Sequence, residues 1–360
     1  MVWSASVVAP RRLSRRLLRS VALAVIGLAV IAVTATARTS LTRQPSSGSA
    51  LFSTSVEPIV PIPRNLDLDP RRVMLGEQLF HEVGLSRDRG RSCATCHPLE
   101  HGGMDGRTRP LTANGTLKAR NTPTIFNVGL SSAFNWDGVA TTLEAHAEMV
   151  LGNPNLMDST WPEILARLGA EPRYVSEFRH AYPDGLTRPN VLDAVATFER
   201  SLTTPDSRFD RYLRGERVAL TEAEQRGYAL FKAYGCVTCH QGINIGGNMF
   251  QKFGVFSGED VQQPTVDLGR YYVTRVSRDR GVFRVPSLRN VALTAPYFHD
   301  GRARSLDVAV DTMAKVQLGR TLRAEEIAEI VQFLNSLTGR YRGQSLDAAT
   351  PSLRAVIESP

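Results

Sequence analysis

All four cysteines of the chain fall in two copies of one pattern, Cys93-Ala-Thr-Cys96-His97 and Cys236-Val-Thr-Cys239-His240. Two residues between the thiols let both sulfurs reach the vinyl groups of one porphyrin, and the following imidazole is then held under the ring as an iron ligand. Zinc or a redox dithiol would use the same residue types, but neither needs a histidine directly after each pair. The pattern predicts two covalently attached haem c groups, with His97 and His240 on iron.

The opposite face of each iron decides what it can do: a second protein ligand favours electron transfer, while an open place admits a small molecule. Only seven histidines exist, and two are already used. Met313, in Thr312-Met-Ala-Lys-Val-Gln-Leu-Gly319, is placed either to cap the second iron with its thioether, raising the potential, or to fill a gap in a core. His299, in Tyr297-Phe298-His299-Asp300-Gly301, has Trp136 in the matching place of an earlier segment. Trp136 reads as core packing or as an electron relay. His81, His101 and His180 read as surface or interfacial residues, with His101 kept as a candidate loop ligand.

The elements that position these residues are helical. Asp69-Pro70 makes an N-cap and first-turn pair ahead of Val73, Leu75, Leu79 and Phe80. Reciprocal capping pairs recur at Thr141 with Glu144, Thr160 with Glu163 and Thr221 with Glu224. Val191, Leu192, Val195, Phe198 and Leu202 form one apolar stripe; Ile327, Ile330, Val331, Leu334 and Leu337 form another, stopping at Gly339. An internal repeat orders the whole. The segment Pro123 to Gly138 matches Pro286 to Gly301 without a gap at an offset of 163 residues, the haem motifs stand 143 apart, and Leu79-Phe80 has a counterpart in Leu230-Phe231. The expected fold is mainly α, with two related tandem haem domains over 66–211 and 212–345 and a tail over 346–360.

Charge gives little reason to expect a nucleic acid partner. The formal balance of +8 includes seven arginines before residue 44, where no acidic residue stands; without them the chain is at +1. Arg11, Arg12, Arg15, Arg16 and Arg19 precede an uncharged stretch from Ser20 to Ala37, so 1–37 reads as an export signal or a retained anchor. Either places the remainder outside the cytoplasm, periplasmic or facing the cell exterior. Residues 38–65, rich in Ser, Thr and Pro, read as a linker.

From about Pro70 to Gly339 the chain resembles the bacterial di-haem cytochrome c peroxidase and MauG family. The haem motifs, Arg120-Asn-Thr-Pro-Thr124, Trp136-Asp-Gly138, Val285-Pro-Ser-Leu-Arg-Asn-Val291, Pro296-Tyr-Phe-His-Asp-Gly301 and Met313 to Leu318 carry the likeness in order. The resemblance implies two tandem cytochrome c-like domains, and hydrogen peroxide reduction at the first haem, with electrons from a small cytochrome c or cupredoxin entering at the second. It makes Met313 the second iron's ligand, where the MauG type has tyrosine, and Trp136 the aromatic between the haems. It also implies a calcium ion held by Asn121 and the main-chain oxygens of Thr294 and Pro296. A symmetric homodimer is the default for a soluble oligomer.

Three positions depart from the family pattern. Ala113 stands where peroxidases that need reductive activation carry a loop histidine, which implies a first iron that is always open. His146 and Leu156 stand where a Gln and a Glu usually lie ten residues apart, and leucine cannot carry a proton. His146 is therefore read three ways: as the replacement acid and base, as a hydrogen-bonded helix histidine, or as an iron ligand; Glu148 is a further proton carrier to consider. Val139 replaces a common arginine. Besides the peroxidase reading stand a MauG-like oxidase of a protein or organic substrate and a non-catalytic electron carrier or sensor.

Overall fold

The computed structural model describes residues 57–109, 120–257 and 267–349. The expected leader, the linker before Glu57, Ala113 and the tail beyond 349 lie outside the described residues. The helices of the first half are α1 (Pro70–His81), α2 (Cys93–Cys96), α3 (Leu143–Gly152), α4 (Trp161–Gly169), α5 (Pro172–Ala181) and α6 (Arg188–Ser201). Those of the second are α7 (Arg208–Leu213), α8 (Glu222–Ala233), α9 (Tyr271–Thr274), α10 (Leu306–Leu318) and α11 (Ala324–Asn335). Strand content is two small antiparallel pairs: β1 (Phe250–Lys252) with β2 (Val282–Arg284), and β3 (Arg340–Tyr341) with β4 (Gln344–Ser345). The mainly α, cytochrome c-like architecture is present. Among the described residues no helix is long and apolar enough to cross a membrane.

Local chemistry sets the helix starts. Asp69 accepts from the Arg71 amide at 2.9 Å with Pro70 at the first helical position, and Thr160 and Thr221 open α4 and α8 with reciprocal boxes to Glu163 and Glu224. The expectation at Thr141 needs a correction of one residue. Thr142 caps α3 through the Ala145 amide at 3.1 Å, and Glu144 turns instead to Arg200 at 2.5 Å.

Each half is built on one crossing of its first and last long helices. A Cβ on Gly76 of α1 would run into the Ala194 carbonyl and Phe198 of α6; one on Gly227 of α8 would run into the Glu329 carbonyl and Phe333 of α11. Only glycine lets the backbones approach this closely. The first core gathers Leu75, Leu79, Tyr174, Phe178 and Val191. The second gathers Phe209, Tyr228, Phe231 and Phe333, with Phe209 4.7 Å from Tyr228 and 5.0 Å from Phe333.

Two segments join the halves. From Glu57 onward the expected linker is packed: Ile59 and Ile62 are buried, Ile59 within the second core, and the Val60 carbonyl accepts from Arg289 at 3.0 Å. Two buried isoleucines, three residues apart, hold this stretch by taking apolar surface out of water. Arg289 also forms a wholly buried ion pair with Asp210 at 2.6 Å. At the other end, the β3–β4 hairpin carries Tyr341, followed by Leu346, into the apolar cluster of Phe80, Phe126 and Phe198 beside Cys93.

Candidate functional site

The second motif opens onto a cavity of about 470 Å³. Cys236, Cys239 and His240 line one side; Met313 of α10 and Leu334 of α11 also line it. His240 Nδ1 lies 3.2 Å from the Ile245 carbonyl, which fixes the ring and leaves Nε2 for a metal. Burial pushes this imidazole down to about 4, so it is neutral and fit to ligate. The chain closes tightly beside it: a side chain on Gly246 would meet the Pro286 carbonyl and His240 Nδ1. An apolar cavity with paired thiols, a neutral imidazole and a thioether on its walls fits a covalently held haem.

The first motif repeats the proximal half of this design. His97 Nδ1 lies 3.0 Å from the Gly103 carbonyl, and Cys93 is packed with Phe80 and Phe198. Burial, with the nearby Glu199 carboxyl, pushes the Cys93 thiol up to about 12. The remaining wall differs. His146, half-buried on α3, has Nε2 3.3 Å from Asn135 Oδ1 and its ring 6.0 Å from Phe134. Burial, with His97 and Arg284 as positive neighbours, pushes His146 down to about 4. Leu156 packs against the first core, and its carbonyl accepts from Arg91 at 3.4 Å. Glu148 is engaged by Arg188 and by Trp161 Nε1, the latter at 3.2 Å, which leaves it poorly placed as a proton carrier.

On the wall of the second cavity the repeat mates meet. The Trp136 and His299 rings are 6.3 Å apart at 67°, and His299 stacks on Phe283 at 4.0 Å and 21°. Trp136 Nε1 donates to the Asn121 carbonyl at 2.8 Å, and its own carbonyl accepts from the Arg284 amide at 2.7 Å. Arg120 bridges Asp137 at 2.6 Å and Asp267 at 2.5 Å, pinning the Trp136 strap to the second half. His81 and His180 are exposed, and His101 lies in a short turn at Leu99–His101.

Asn121 gives a test of the calcium expectation. It is buried, its Nδ2 lies 2.6 Å from the Pro296 carbonyl, and its Oδ1 has no hydrogen-bond partner. Turning the amide over would bring Oδ1 toward the Pro296 carbonyl, with Thr294 beside it on the same cavity wall. Two neutral hard oxygens with one otherwise orphaned suit a cation of irregular geometry. Among the described residues no cluster of three His, Cys, Asp or Glu side chains could hold a metal.

Two buried charged residues at these sites escaped the sequence reading. Arg284, 8% exposed, donates through Nε to the Asn135 carbonyl at 3.1 Å and lines the second cavity. Its place directly before Val285-Pro286 was a signal, since a motif's flank shares its backbone. Glu199, 6% exposed, stands on the stripe of α6 four residues after Val195. A charge on an apolar helix face is the informative exception.

The family model described as di-haem cytochrome c peroxidase matches residues 70–218. The cytochrome c551 peroxidase of Nitrosomonas europaea is 40% identical over 82% of this chain and 88% of its own. The cytochrome c peroxidase Ccp of Escherichia coli is 44% identical over 79% of this chain, but this chain spans only 62% of that protein's length. A crystal structure of a MauG-like protein associated with microbial copper homeostasis superposes with a TM-score of 0.69 at 29% identity, covering 81% of this chain and 95% of that one.

Proposed function

Because the chain belongs to the di-haem cytochrome c peroxidase family, and so carries two c-type haems, we propose that it reduces hydrogen peroxide to water with electrons from a small redox protein. The haem groups supply the electron storage and the electron delivery to peroxide. The second would be held by His240 and Met313, a combination that suits accepting electrons from a partner. Trp136, with Asn121 and Arg284 fixing both ends of its residue, is the aromatic bridge toward the first.

At the first centre the work of the chain is proton handling. His146, neutral above about pH 4, takes a proton from one peroxide oxygen and returns it to the departing one. Asn135 Oδ1 holds Nε2 and so sets the direction of the ring. Asn121, Thr294 and Pro296 would hold a calcium ion, which would clamp the Trp136 strap to the second half. The protein works outside the cytoplasm, in keeping with its leader and with covalent haem, and a cytochrome c or cupredoxin is the donor.

The observation that carries this reading is the asymmetry of the two walls: a thioether shares the second cavity with His240, while a neutral imidazole is the distinctive group near His97. Electron paramagnetic resonance of the oxidised protein tests it, alongside turnover with a reduced cytochrome. One high-spin and one low-spin ferric signal, with two electrons consumed per peroxide, are expected. Two low-spin signals in the oxidised protein, with the haem that stays ferric still low-spin after one-electron reduction, would overturn it in favour of an electron carrier, the reading that Leu156 favours.

A further inference from the structure

The matched glycine crossings align α6 with α11 residue by residue. Gly76 meets Ala194 and Phe198, Gly227 meets Glu329 and Phe333, and both pairs share an offset of 135 residues. The residue after Phe198 is Glu199, and its mate after Phe333 is Leu334. Leu334 is part of the wall of the second cavity, so position 199 belongs to the wall of the first haem site. There a carboxyl replaces an isobutyl group. It is 6% exposed, its Oε2 has no hydrogen-bond partner, and its charge is felt at Cys93, where the haem is attached.

An ionised carboxylate left in this position has no protein donor at that oxygen to stabilise it. The titratable groups on the elements packed near α6 do not change this. On α1 these are Arg71 and Arg72, paired with Asp69 and Asp193, Glu77, paired with Arg342, and His81. On α3 they are Glu144, bound to Arg200 of α6, His146, and Glu148, bound to Arg188. The turn Val128–Leu130 brings no charge, and α2 brings Cys93 and Cys96. Burial pushes the Glu199 carboxyl up to about 8, with Glu144 adding to the rise and Arg200 opposing it.

We infer that Glu199 is the proton-exchanging group of the first haem site, taking up a proton when an electron arrives there and releasing it when the electron leaves. The inference rests on reading that site as the one that reduces peroxide. The charges balance. One electron from the donor protein removes a positive charge from the site, and one proton from water converts the carboxylate to the acid, so the buried region keeps its net charge. Reducing one peroxide to two waters consumes two electrons and two protons, and the proton released at Glu199 accompanies its electron into that total.

The test is a potentiometric titration of the full holoprotein across pH, following each haem by its own spectrum. For the first haem the potential should fall as pH rises near 8, approaching about 59 mV per unit, the one-electron equivalent of a tenfold change. In Glu199→Gln, which keeps the shape and cannot ionise, that slope should vanish while the second haem's profile stays as it was. The same slope in the variant overturns the inference. If the glutamine variant fails to take up haem, Glu199→Leu, copying Leu334, serves in its place. Infrared redox-difference spectra give a second reading on the wild type: a protonated-carboxyl band that grows on reduction supports the assignment, and its absence overturns it. Spin state and peroxide turnover on the same samples separate the two ideas. A closed first iron with an intact slope removes the peroxidase reading alone, and a flat slope with full turnover removes Glu199 alone.

Discussion

In the first half α1 crosses α6 at Gly76, and in the second α8 crosses α11 at Gly227, each against a main-chain carbonyl and a phenylalanine. In both halves a loop carbonyl fixes the proximal histidine, Gly103 for His97 and Ile245 for His240. The scaffold is thus the same, and the differences lie in the side chains turned toward the haem. Met313 and Leu334 line the second cavity; His146 and Glu199 belong to the first site. A duplicated frame presents a thioether and a leucine in one copy, and an imidazole and a buried carboxyl in the other. Under the proposed function, this is how one fold would separate electron storage from proton-coupled chemistry.

The largest expected effect falls on the side with no counterpart. His146→Ala should lower peroxide turnover by about 10²- to 10⁴-fold, the usual worth of a positioned acid and base. The reduction of the second haem by a donor should stay unchanged in stopped-flow traces. Adding Leu156→Glu to that variant should recover part of the loss; no recovery, with haem content intact, would mean that the carboxylate cannot reach the substrate from Leu156.

Next in size is the shared crossing. Gly76→Val and Gly227→Val should each destabilise by about 3 kcal/mol or more, since the crowding atom is a backbone carbonyl that cannot move aside. Chemical denaturation would measure this. A large cost in one half and none in the other would break the equivalence that places Glu199 opposite Leu334.

The pH profile sharpens the comparison further. His146 has a folded value of about 4 against the usual 6.5, so the unfolded chain binds a proton that the folded one does not between those values. Stability linked to His146 is therefore fully present above pH 6.5 and falls as pH drops toward 4. The acidic limb of turnover should lie near 4 as well; a limb near 6.5 would mean that His146 faces water. In His146→Ala the stability slope in this window should flatten by up to one proton.

The smallest effects test the symmetry of the frame. Thr160→Ala and Thr221→Ala each remove a reciprocal helix cap and should cost about 1 kcal/mol, read from thermal melts. Neither should alter turnover.

The sequence by itself determined the two haem attachments, the duplicated order of motifs, the mainly α class and most helix starts. These are properties of residue types at short spacing: a thiol pair with its histidine, an apolar stripe, a threonine with glutamate three residues on. Tertiary structure alone decided that Glu57 to Arg64 packs on the second core, that Trp136 meets its own repeat mate His299, and that Glu199 and Arg284 are buried at the haem sites. Each of these joins residues far apart in the chain. Burial, and the shift of a carboxyl or an imidazole that follows from it, depends on which distant side chains exclude water, and that is not written in local spacing.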